Sequence, residues 1–425
     1  MRKFLYLILF VMTLCVFCCS CSQKTNDVKK TSSQHEKKLK SVPNNNTKED
    51  VISEEDLEKG YDLPVSAQEN EEATRDSMQI MSGLEHIYRN ADKGDSLNVV
   101  LDNKSICKMI KKIKQQGYSV TVSEDYSNME NYKRFSSFLA KAQKKQKGSG
   151  VIYEVHSEGS IGREKFIYDG KDMFLLASNA SWDDNGKPII TFVSYTRIKK
   201  WRYSRKGWFC YELCVPEYPD VTEMVDGSCL IRIKPMSDNK RKLSRKCVRG
   251  LAYQGNNILC SNWDQEHMQK IDYNGLYEYL YAMKYKKKFN GKKYPSGIPK
   301  DQFEQLIMEY LPVSREEIEK YASYNEKKKT YDWMRLGCFN YAPNFFGTSI
   351  PEVTKIKHNS NGTVTLTVDA VCKMVLCNEA VITHELTVKF NKDGSFRYLG
   401  NKILNGGIKE IPEYQYRILK EKSKR

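Results

Sequence analysis

The hydrophobic period of this chain switches from helical to two-residue spacing, and does so twice. No other feature restricts the fold more, because each period specifies one kind of element. Met78, Met81, Leu84, Ile87 and Ala91 recur at helical spacing after a capping box at Ser66–Glu69, and Gly94 stops the run. Ile106, Met109, Ile110 and Ile113 mark a second helix ending at Gly117, and Tyr118 to Val122 reads as a strand. A third helix is predicted from a capping box at Ser127–Glu130, with Tyr132, Phe135, Leu139 and Ala142 on one face. From Gly148 the period is two, through Val151-Tyr153-Val155, Phe166-Tyr168, Met173-Leu175 and Ile189-Thr191-Val193. Asp169-Gly170 and Asp184-Asn185-Gly186 supply the turns. Trp201–Tyr203 and Trp208–Val215 form a hairpin closed by Ser204–Gly207.

The pattern then repeats. Leu230–Ile233 is a short strand, followed by predicted helices at Trp263–Lys270 (capped by Asn262), Leu276–Tyr285, Asp301–Tyr310 and Ser314–Tyr324. Strands return at Val353–His358, Val364–Ala370, Ile382–Phe390 and Phe396–Ile403, joined by Asn361-Gly362 and Asp393-Gly394. Helices followed by an antiparallel meander are an α+β solution. Two halves are expected, 61–217 and 218–405, each with helices packed on a curved antiparallel sheet. In element order each looks like the cone-shaped fold of the nuclear-transport-factor-2 and SnoaL-like proteins, a layout that hosts both enzymes and binding modules.

Ahead of this body, Arg2 and Lys3 precede fourteen uncharged residues, Phe4 to Phe17, and then Cys18-Cys19-Ser20-Cys21. A positive start, an apolar core and a small residue before the cut constitute a secretory signal peptide over residues 1–21. As a helix the apolar run rises about 21 Å, short of the ~30 Å bilayer core. The segment resembles a bacterial lipoprotein signal, which implies lipid on Cys21, a membrane lipid as partner and an address on the outer face of the bacterial cell membrane. Ser22 to Gly60 carries eight basic and eight acidic side chains without apolar periodicity, so it is expected to be a disordered tether. Its ends would lie roughly 30–40 Å apart. Residues 406–425 read as a solvated basic tail.

The formal charge is +16, which suits anionic headgroups or wall polymers outside the membrane. Nucleic acid would attract the same charge but is not an expected partner of an exported protein. Of thirteen cysteines, nine stay in the body, an odd number, and none forms a CxxC pair or a zinc-spaced Cys/His cluster. No cofactor and no metal is expected.

Between residues 60 and 405 the chain resembles an uncharacterised family of clostridial lipoproteins, a domain of unknown function. The resemblance rests on Gly207-Trp208-Phe209-Cys210-Tyr211-Glu212-Leu213-Cys214-Val215-Pro216, on Tyr253–Asn257 with Cys260–Asp264, and on Gly337–Pro343 with Phe346–Ser349. It implies the anchor and brings no activity with it.

Chemistry is sparse. HExxH, GxSxG and the phosphate-cradling GxxxxGK[ST] are absent, and Ser181–Gly186 reads as a turn because Phe192 stands where a calcium loop needs Glu. Cys260, Asp264 and His267 fall close together, but a thiol nucleophile would need Cys260 to reach its base. His384 shares the apolar side of its strand with Ile382, Leu386, Val388 and Phe390, so it is either a core histidine or a general base in a pocket. Lys200, Trp201, Arg202 and Trp208 interleave cations with flat rings on one hairpin, which suits an anionic or glycan ligand. Lys284 to Lys288 with Lys292 and Lys293 reads as a solvated helix end. The expected function is a non-enzymatic binding or interaction module. The alternative is a SnoaL-like hydrolase or isomerase using His384.

Overall fold

The computed structural model describes residues 52–94, 98–337, 345–372, 380–407 and 414–418. Cys21, its leader, most of the tether, Cys338, Cys377 and the lysines after 418 lie outside the described residues. The chain opens with helices α1 (Glu54–Lys59), α2 (Ala67–Arg89) and α3 (Asn103–Gln115), strand β1 (Ser119–Val122) and helix α4 (Tyr132–Ala142). Strands β2 (Gly148–Val155), β3 (Ile161–Tyr168), β4 (Met173–Trp182), β5 (Pro188–Tyr203), β6 (Trp208–Leu213) and β7 (Ser228–Arg232) follow. Next come α5 (Asp238–Leu243), β8 (Trp263–Asp264), α6 (Tyr273–Tyr285), β9 (Ile298–Pro299), α7 (Lys300–Tyr310) and α8 (Arg315–Tyr321). The chain ends with β10 (Tyr324–Asn325), β11 (Thr330–Tyr331), β12 (Ile350–His358), β13 (Val364–Val371), β14 (Ile382–Phe390) and β15 (Phe396–Gly407). The predicted mixture of helices and antiparallel meanders is what forms.

Two compact units divide the chain: Met1–Tyr118, Lys144–Lys199 and Glu212–Gly227 in one, and Ser119–Gln143, Lys200–Tyr211 and Ser228–Arg425 in the other. The β5–β6 hairpin carries the chain from the first to the second and back, so the units are not two consecutive stretches.

In the first unit β2 to β5 pair antiparallel in chain order, with Glu154 opposite Gly162, Arg163 opposite Ser178 and Leu176 opposite Tyr195. One face of this meander carries α2, whose Ser66–Glu69 capping box is present as the sequence predicts. Leu63, Ala73, Phe174, Leu176 and Tyr195 fill the interface, and the Ser77 and Ser178 hydroxyls meet at 3.0 Å within it. Structure begins earlier than the tether reading allows. Ser53 caps α1, acidic residues occupy its first turn and Gly60 ends it at φ 76, so local capping orders six residues that bury no side chain.

The second unit centres on a five-stranded sheet of order β12-β13-β14-β15-β8. Its core packs α6 and α7 through Leu276, Tyr277, Leu280, Phe303, Leu306 and Ile307 against Leu366, Val368, Leu386, Val388 and Tyr398. The helix predicted at Trp263–Lys270 does not form. Trp263 and Asp264 pair as a strand with Asn401 and Gly400, and only a single 3₁₀ turn at Met268–Lys270 remains. The reason is competition for the capping group: the Asn262 side chain accepts from Ile403 N at 2.7 Å instead of capping a helix. Similarly, the Ser127–Glu130 box caps nothing, because Glu130 bridges to Val120 and Asn128 is bonded to Met236, so α4 starts only after Asn131.

Candidate functional site

Alternation along β6 decides what the basic hairpin can present. Trp208 and Cys210 point to one side, where they pack with Val371 and half-buried Leu230. Phe209 and Tyr211 point to the other and stack at 5.0 Å, with Phe135 and Trp201 each 6.2 Å from Phe209. Trp208 is therefore a buried ring (8% exposed), not the surface ring the sequence suggested. The Arg232 guanidinium lies over it at 5.0 Å and sends Nη1 to both Glu352 oxygens at 2.6 Å. Burial pushes Glu352 up, against the pull of Arg232. Lys206 is paired with Asp369, a fully buried carboxylate that also accepts from Thr383 Oγ1 at 2.8 Å. Lys199 is held by Glu217 at 3.1 Å, which raises its pKa. Lys200 is exposed, and Trp201 and Arg202 are half-buried. Of the four proposed surface residues, Lys200, Trp201 and Arg202 reach solvent, whereas Trp208 packs with Cys210, Val371 and Leu230.

His384 is fully buried. Its Nδ1 lies 2.6 Å from Asn401 Oδ1, and its Nε2 lies 2.9 Å from Tyr253 Oη. The Asn401 amide nitrogen donates to the Leu259 and Ser261 carbonyls, so its oxygen must face the imidazole. That oxygen can only accept, which places the proton on Nδ1 and leaves Nε2 to accept from Tyr253. Burial lowers the His384 pKa to about 4, so the ring is neutral near pH 7. Both nitrogens are committed within the core.

The thiol triad does not assemble. His267 Nδ1 meets Asp264 at 2.7 Å on the surface, whereas burial pushes the Cys260 thiol up to about 12. Among the described residues no disulfide forms, and no group of three or more Cys, His, Asp or Glu could hold a metal ion.

Two further groups bear on the chemistry, and sequence reasoning missed the first. On β3, buried Arg163 donates to Glu72 at 2.9 Å and Asp76 at 2.8 Å. Its neighbour Glu164 faces the other side of the sheet, and its buried Oε2 has no hydrogen-bond partner. Burial, with the like charge of Glu154, raises Glu164 to about 8. The signal was available: Glu154 pairs with Gly162, two residues from Glu164 on the same face, so the register itself brings the carboxylates near each other.

The second group is the run read as a solvated helix end. After α6, Lys286 ends the helix at φ 55 and the chain folds back over Phe289. Phe289 stacks on Tyr294 at 5.4 Å and meets Tyr281 and Trp333 edge-on at 5.2 Å. Gly291 admits the Trp333 ring, since a Cβ there would stand 1.9 Å from it. Lys284 is paired with Glu309. Lys286, Lys287, Lys292 and Lys293 are exposed and form no ion pair among the described residues.

The chain belongs to a family of unknown function, DUF6070, whose model matches residues 70–417. No curated protein and no solved structure matches it.

Proposed function

We propose that this is a surface lipoprotein, held by lipid on Cys21 at the outer face of a bacterial membrane, whose body is a non-enzymatic binding module for a glycan-like or anionic envelope component. The observation that carries the binding reading is the pose of Trp201. Its half-buried ring is braced edge-on by Phe209 beside exposed Lys200, with Arg202 next in the strand. A ring fixed by packing loses little freedom on stacking against a sugar, while Lys200 and Arg202, which strand alternation turns to the other face, supply longer-range charge that favours anionic substituents. The alternative, a hydrolase or isomerase with His384 as base, needs an imidazole that a substrate can reach, and the sealed Tyr253–His384–Asn401 network gives it no support. We infer further that the two meanders are related, nuclear-transport-factor-2-like halves; failure of β2–β5 to superpose on β12–β15 would remove that inference.

Pull-down of envelope polysaccharide with the full chain tests the binding reading. Trp201→Ala should weaken capture about tenfold with folding unchanged, as for a solvent-facing aromatic anchor. Equal capture by wild type and Trp201→Ala would overturn it. Labelled palmitate should enter the wild type and not Cys21→Ser.

A further inference from the structure

We propose that the loop Lys286–Lys293 is a docking surface for the anionic lipid leaflet, a contact separate from the Trp201 hairpin. It rests on the lipid-anchor reading only for bringing the body near a membrane. Three observations point to this occupant. The first is uncompensated charge: Lys286, Lys287, Lys292 and Lys293 are exposed and form no ion pair among the described residues, whereas Lys284 at the root of the loop is paired with Glu309. The second is the absence of a designed anion cradle. Every cation of the loop is lysine, a hydrated point charge on a long apolar stem, suited to a diffuse negative surface rather than to bidentate recognition of one phosphate. The third is Tyr285, 46% exposed, packed on Tyr281 at 4.6 Å at the same end of α6. An aromatic ring with a polar tip beside lysines is the pairing that sits at the level of lipid headgroups.

The pose of the loop is fixed from beneath. Phe289 and Tyr294 stack under it, Trp333 lies against Gly291 and bonds Glu278 at 3.1 Å, and Asn290 Oδ1 accepts from Lys292 N at 3.1 Å. The lysines are thus displayed with little backbone ordering left to lose on docking. Each lysine near an anionic leaflet contributes about fivefold in partitioning. A lipid on Cys21 would convert docking into an intramolecular event.

The test uses the chain from position 21 onward as Cys21→Ser, which carries no lipid, and vesicles of phosphatidylcholine with or without about 30% phosphatidylglycerol. The expected result is cosedimentation with the anionic vesicles only, weakened by salt. The quadruple variant Lys286→Gln, Lys287→Gln, Lys292→Gln and Lys293→Gln should lose at least about a hundredfold in affinity. A control removing four exposed lysines of α3 (Lys104, Lys108, Lys111 and Lys112, each to Gln) should keep most of it. Thermal unfolding of both variants should match the parent. Equal loss in the two variants, binding to neutral vesicles, or binding of an anionic wall polymer without vesicle binding would each overturn the proposal. The lipid-free chain keeps this result independent of palmitate labelling, so either reading can fail alone.

Discussion

The hairpin Lys199–Trp208 and the segment Lys284–Tyr294 both interleave cations with aromatic rings, yet the fold disposes of their cations differently. In the hairpin, Lys199 is paired at the surface with Glu217 and Glu212, Lys206 is held by buried Asp369, and Arg232 covers Trp208. In the second segment Phe289 and Tyr294 pack together while Tyr285 stays exposed; Lys284 is paired with Glu309, and Lys286, Lys287, Lys292 and Lys293 are exposed with no ion pair among the described residues. Whether a cation is held by the fold or left facing water depends on whether folding brings a carboxylate within reach. Local composition cannot report that, because the acids concerned are remote in sequence: Asp369 is 163 residues from Lys206.

The largest effect that would sharpen the contrast is expected from Arg232→Ala. It strips the partner from Glu352 and the cover from Trp208, and should destabilise the protein by about 3–5 kcal/mol in denaturant unfolding. A loss within about 0.5 kcal/mol would mean the buried pairing is not a structural commitment. The β14 strand next to Asp369's partner Thr383 supplies a pH test. His384 titrates near 4 in the fold against 6.5 for a free imidazole, so the unfolded chain binds the extra proton first. Stability should be fully present above pH 6.5 and fall by about 3 kcal/mol as pH drops toward 4. His384→Gln should flatten that window, even if it lowers stability throughout.

Lys206→Ala comes next, at about 2 kcal/mol, because Asp369 would remain buried with Thr383 alone. Gly291→Ala forces Trp333 away from the loop and should cost about 1–3 kcal/mol, with a shift in tryptophan emission. Smallest of all, the four loop lysines changed to Gln should move stability by less than about 0.5 kcal/mol. A loop effect as large as that of Lys206→Ala would break the comparison outright.

Much of the architecture was legible because burial imposes its own period. The strands β2 to β5 and β12 to β15, the capping box at Ser66 and the inward direction of His384 all follow from short-range spacing. The failures share one cause. Asn262 and Ser127–Glu130 read as helix caps, but Ile403 and Met236, more than a hundred residues away, and Val120, ten residues away, compete for the same groups. The cap that forms is the one whose backbone partners have no better offer.

The sequence by itself determined the element types, the α+β class and which face of each strand turns inward, since those depend on side-chain period and on turn residues within a few positions. Only the tertiary structure decided that Trp208 is buried, that both nitrogens of His384 are occupied, that the Glu164 Oε2 lacks a hydrogen-bond partner and that four lysines near Phe289 form no ion pair among the described residues. Hydrogen bonding, ion pairing and desolvation are settled by neighbours brought together across tens to hundreds of residues, and no local pattern encodes who those neighbours are.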